Sequence, residues 1–125
     1  MKLQPDRMDV QAVTGYGEGW IAINGEKIHH SLIISSKGDR WDWPCHHLDE
    51  LTRAHFDELA QLGVELVIFG SGRRLQFPRP ECLQGLMQLG LGVETMDTQA
   101  ACRTYNILAG EGRQVAAALI VERAG

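Results

Sequence analysis

The sequence predicts an α/β fold: a single compact three-layer domain with a mixed central sheet and an antiparallel N-terminal β-meander layer. Three observations predict it. Val64-Glu65-Leu66-Val67-Ile68-Phe69 and Val115-Ala116-Ala117-Ala118-Leu119-Ile120-Val121 are apolar at nearly every position, the pattern of strands covered on both faces. Between them, two stretches carry apolar side chains at helical spacing, flanked by prolines or glycines. The first third alternates short β-prone runs with glycine-containing turns.

Residues 1–9 read as a polar, mobile leader and 10–125 as the domain, since 125 residues suit one core. Residues 10–13 and 20–23 are expected as short strands around Gly15-Tyr16-Gly17. Asn24-Gly25 then signals a two-residue type I′ hairpin, in which both turn residues take positive φ. The following strand is expected over Lys27 to Ser35, ending in the apolar run Leu32-Ile33-Ile34. Lys37-Gly38-Asp39 turns the chain into Arg40-Trp41-Asp42-Trp43-Pro44, whose alternation gives both tryptophans one face of an edge strand.

A helix should start at the cap Thr52, bury Phe56, Leu59 and Ala60, and stop at Gly63. The strand to Phe69 reads as central. After Gly70-Ser71-Gly72, Pro80 suits a first helical turn because it needs no amide partner there. Cys82, Leu83, Leu86 and Met87 supply the stripe of that helix, and Gly90 closes it. The short turn to residues 93–96 implies a strand parallel to the one ending at Phe69. Asp97 caps a third helix with Ala101, Tyr105 and Leu108 inward, and Gly110-Glu111-Gly112 turns into the last strand.

A formal charge of −4 with a pI near 5.7 argues against nucleic acid or an anionic membrane as partner. No run approaches the roughly 20 apolar residues of a membrane helix, so an integral membrane protein is not expected. Residues 1–7 include acidic side chains and no signal-length apolar run follows, which suits a soluble, unprocessed, cytoplasmic chain. Cys45, Cys82 and Cys102 form no CxxC pair and are odd in number, hence reduced thiols. His29-His30, Cys45-His46-His47 and His55 lack the spacing of a metal site, and no cofactor is implied.

The chemistry-bearing residues gather where parallel strands end. Gly70, Ser71, Gly72 and Arg73 follow a strand as phosphate-cradling loops do, although the pattern is neither a P-loop nor GxGxxG. Asp97 and Thr98 start a helix, and Arg103 and Asn106 lie near one face of it. Together they could bind a small anion, or they could brace the loop, with Asp97 as a cap. Cys102 near that helix start would be a nucleophile only if the dipole lowered its pKa; a small buried residue is the simpler reading. Trp41 and Trp43 are either core or a partner surface. No catalytic residues are assigned.

Gly70-Ser71-Gly72, Phe77-Pro78-Arg79-Pro80-Glu81, Gly90-Leu91-Gly92-Val93-Glu94, Met96-Asp97-Thr98, residues 100–106 and Glu111-Gly112-Arg113 resemble a family of bacterial, archaeal and mitochondrial proteins of largely undefined biochemistry that includes mitochondrial complex I assembly factor 3. The resemblance covers the C-terminal half closely and the meander more loosely. It implies the three-layer α/β domain read from the residues. It also implies a non-enzymatic accessory or assembly protein acting through protein contacts, linked to respiratory complex biogenesis. The alternative is a binder or enzyme for a small anionic metabolite at the glycine loop and the Asp97 helix start. A protein partner is expected, with homo-oligomerisation through an edge strand compatible with either reading.

Overall fold

The computed structural model describes residues 10–123; the leader expected at residues 1–9 lies outside the described residues. Strands β1 (Val13–Gly17), β2 (Trp20–Ile23) and β3 (Glu26–Ile28) form an antiparallel three-stranded sheet. Asn24 and Gly25 have φ of 50° and 87°, as the type I′ turn requires. β1 was expected to end before Gly15, yet it runs through Gly15 and Gly17 and turns at Gly19, whose φ is 78°. The Trp20 indole explains this: a Cβ on Gly17 would lie 2.5 Å from Trp20 Nε1, so glycine here makes room for the ring inside the ladder.

The strand expected over Lys27 to Ser35 is two strands in two sheets. β3 ends at Ile28, paired with Ile21, while β4 (Leu32–Ser35) pairs with a different sheet. Ser31 holds the crossing: its buried hydroxyl accepts from Val121 N–H at 2.8 Å, and its carbonyl accepts from Trp43 N–H at 3.0 Å. Strand β5 (Arg40–Asp42) is a three-residue edge. Trp43 then sinks to 2% exposure, as core, whereas Trp41 stays 36% exposed, so of the two tryptophans offered as a partner surface Trp43 is not open to solvent.

Helix α1 (Arg53–Asp57) starts at Thr52, whose N–H donates to His55 Nδ1 at 2.9 Å, and continues as a 3-10 turn to Gly63, which is left-handed. Strand β6 (Leu66–Gly70), helix α2 (Pro80–Gln88), strand β7 (Gly92–Met96), helix α3 (Thr98–Gly110) and strand β8 (Val115–Leu119) follow. Cys82 and Leu86 of α2 are buried as expected, but Met87 is 67% exposed, so the buried stripe of α2 is narrower than expected. The main sheet has the order β5-β4-β8-β6-β7, with β6 parallel to β7 and β8, and β4 antiparallel to β5 and β8.

Alternation along these strands fills two cores. Ile34, Ile68, Ala117 and Leu119 face α3 and the three-stranded sheet, packing on Tyr105, Ile21 and Ile23. Ile33, Val67, Phe69, Ala118 and Ile120 face α1 and α2, where Trp43, Phe56 and Phe69 form edge-on aromatic contacts with centroids 5.3–6.1 Å apart. Because β6, β7 and β8 are parallel, their C-terminal ends share one edge. Gly70-Ser71-Gly72, Asp97-Thr98 and Val121-Glu122 therefore meet there.

Candidate functional site

At that shared edge the backbone is stitched before any side chain acts. Ser71 N–H donates to Met96 O at 2.8 Å, Thr98 N–H to Gly72 O at 2.8 Å, and Ile120 N–H to Gly70 O at 2.9 Å. The buried Thr98 hydroxyl completes the knot, accepting from Gly72 N–H at 2.9 Å and donating to Ile120 O at 2.7 Å. Gly70 lets α3 approach: a Cβ there would come within 3.0 Å of Thr98 Cα and 3.1 Å of Ala101 Cβ. Asp97 Oδ1 accepts from Ala100 N–H at 2.9 Å and caps α3. Ser71 Oγ donates to Arg74 O and accepts from Gln76 N–H, which shapes the exit of the loop.

The glycine loop does hold an anion, and the anion is the chain's own. Glu122 Oε1 accepts from Arg73 N–H at 2.8 Å and from Arg73 Nε at 3.2 Å. Gly72, at φ 111°, gives the carboxylate room, since a Cβ would lie 2.9 Å from Glu122 Cδ. His47 Nδ1 is 3.6 Å from Glu122 Oε2. Burial alone would push the Glu122 carboxyl up. The backbone and side-chain donors of Arg73 and its charge, with a smaller pull from nearby His47, outweigh it and hold the pKa below the usual range. These are the loop donors expected from the sequence to be open to an external ligand.

Of the expected site residues, Gly72, Arg73, Asp97 and Thr98 line a small pocket of about 190 Å³ together with Glu122 and Tyr16. Gly70 and Ser71 stand behind it as part of the knot. Arg103 turns away, its Nη1 donating to Tyr16 Oη at 2.9 Å. Asn106 clamps β1, with Nδ2 donating to Val13 O at 2.7 Å and Oδ1 accepting from Val13 N–H at 3.0 Å. Cys102 is fully buried and burial pushes its thiol up to about 12, against the pull of Arg103, so helix placement does not activate it. Cys45 is likewise raised by burial to about 11. Among the described residues, no group of three or more His, Cys, Asp or Glu could hold a metal ion.

A larger cleft, about 710 Å³, lies on the other side of Glu122 and escaped the sequence reading. His47, Leu48, Asp49 and Leu51 form one wall, and Arg74, residues 76–79 and Cys82 of α2 form the other. Residues 73–77 are all exposed, with Leu75 at 54% and Phe77 at 68%, while buried Pro78 anchors the segment. Eight arginines are described, and six have a side-chain partner. Arg74 and Arg79 have none, and both line this cleft. Phe77-Pro78-Arg79 was already visible as a motif, but nothing in the sequence said that its side chains would stay outside.

A family described as "Protein of unknown function (DUF498/DUF598)" matches residues 13–120. The human NADH dehydrogenase [ubiquinone] 1 alpha subcomplex assembly factor 3 is 30% identical across 94% of this chain. The chain spans 65% of the length of that relative. An uncharacterised protein of Rhodobacter capsulatus is 34% identical, with 86% of this chain and 82% of that protein covered. A solution structure from Bordetella pertussis, called a Mth938-like domain, superposes with a TM-score of 0.84 at 32% identity and covers 100% of this chain and 95% of that one. Among the described residues, no helix is long and apolar enough to cross a membrane.

Proposed function

Because the chain belongs to the DUF498/DUF598 family of proteins of unknown function, we propose that it is a non-enzymatic accessory or assembly protein that acts through protein contacts in the biogenesis of a respiratory complex. Similarity to an assembly factor of NADH dehydrogenase supports the direction of this reading. The observation that carries it is the exposed run 73–77, where Leu75 and Phe77 stand in solvent between unpaired Arg74 and Arg79. Apolar and arginine side chains held outside a core on an anchored segment are the composition of a protein-binding patch. On this reading the chain works in the cytoplasm.

The weaker reading, a small anionic metabolite at the glycine loop, requires the ligand to displace Glu122 from Arg73. The experiment that separates the two is deletion of the gene in its host, followed by native-gel separation of NADH dehydrogenase. The assembly reading expects fully assembled complex to fall and subassemblies to accumulate, with restoration by the wild-type chain. Unchanged assembly in the deletion strain would overturn it.

A further inference from the structure

Resting on the reading of a protein-contact surface, the geometry points to a specific occupant for the 710 Å³ cleft: an acidic segment of a partner protein that carries an apolar side chain among its carboxylates. Charge decides the sign of the partner. The chain as a whole is acidic, at −4, yet the only two described arginines without a side-chain partner stand on the same wall of this cleft. Of the two carboxylates lining it, Glu122 is already held by Arg73, which leaves Asp49 as the other acid in a lining that holds two free guanidiniums.

Arginine presents a planar fork of donors that matches a carboxylate with two hydrogen bonds. Two such forks, five positions apart, can engage two carboxylates of one segment. Between them Phe77 lines the cleft and its near neighbour Leu75 stands in solvent, so an apolar side chain laid across the segment would cover both. A free small anion would use the arginines and leave both of these exposed. A polypeptide uses all four.

The test uses the whole chain and a fluorescein-labelled hexapeptide of alternating aspartate and leucine, read by fluorescence polarisation across a salt series. A lysine–leucine counterpart, inorganic phosphate and succinate serve as comparison probes. The acidic peptide is expected to bind and to weaken steeply with salt, while the basic peptide does not bind. The double variant Arg74→Glu/Arg79→Glu, which touches no described hydrogen bond or ion pair of its side chains, should lose at least tenfold in affinity for the acidic peptide and gain binding of the basic one. A Phe77→Ala variant should also weaken the acidic peptide.

No binding of the acidic peptide, or binding unchanged by the double reversal, would overturn the inference. So would competition by phosphate or succinate at the concentration of the peptide itself, which would mark a small-anion site. An assembly defect on gene deletion together with absent peptide binding would remove this inference and leave the proposed function standing. Peptide binding without an assembly defect would do the reverse.

Discussion

The carboxylate of Glu122 sits on the backbone N–H and the guanidinium of Arg73, at 2.8 and 3.2 Å, in the place a glycine loop after a parallel strand offers to an anion. The contact joins the exit of β6 to the exit of β8. It also separates the two clefts at this edge of the sheet, since Glu122 lines both.

Replacing Glu122 with glutamine should destabilise the fold by roughly 1–3 kcal/mol at neutral pH, the range for a charged hydrogen-bonded partner. The folded carboxyl has a pKa below its usual value of 4.5, so its contribution is present above that value and is lost as pH falls through the lower, folded one. Melting curves between pH 3 and 8 should therefore show a constant gap between wild type and Glu122→Gln near neutrality that closes in acid. A gap that widens in acid would contradict the assignment.

Thr98→Val keeps the shape of the side chain and removes the hydroxyl, leaving Gly72 N–H and Ile120 O unpaired in the interior. The expected cost is about 2–4 kcal/mol, two unmet buried groups at the usual penalty, measured by urea unfolding. Thr98→Ser, which keeps the hydroxyl, should lose much less.

Gly70→Ala should destabilise by roughly 1–3 kcal/mol through overpacking. The new Cβ would press on the Cα of Thr98 and on Ala101 Cβ, and a helix backbone cannot give way as a flexible side chain would. Hydrogen exchange should show the loss spreading along α3 and β6 and reaching β1 through the Asn106 clamp.

Thiol titration tests the three cysteines. All are buried, and Cys45 and Cys102 have thiols raised to about 11 and about 12 by burial. At pH 8 the native chain should react with a disulfide reagent only on the timescale of unfolding, and in urea all three should react at once. Fast labelling of Cys102 in the native state would contradict its burial.

Much of this architecture could be read from the sequence because period and punctuation agree. Residues 67–69 and 115–121 are buried on both faces, Asn24-Gly25 takes the predicted positive φ values, and Asp97 caps α3. Sequence alone merges β3 and β4 into one strand from Lys27 to Ser35, because both halves are β-prone. What divides them is long-range, the grip of Ser31 on Val121 and Trp43. The candidate site was half legible. Its backbone knot follows from parallel strands ending together, and the same logic could have placed Glu122, the first acid beyond β8, beside Gly72. The free state of Arg74 and Arg79 was not legible, because whether an arginine finds a carboxylate depends on which surfaces the fold brings together.

Site-specific photocrosslinking asks whether this chain works through protein contact at the residue 74–79 rim. p-Benzoylphenylalanine would be placed at Phe77 and, as a control, at Ile107, which is 61% exposed on α3. Irradiation in the host cell should yield a discrete crosslinked protein from position 77 and not from 107, and Arg74→Glu/Arg79→Glu should abolish it. No adduct at 77, or the same products from both positions, would rule out a protein contact at this rim.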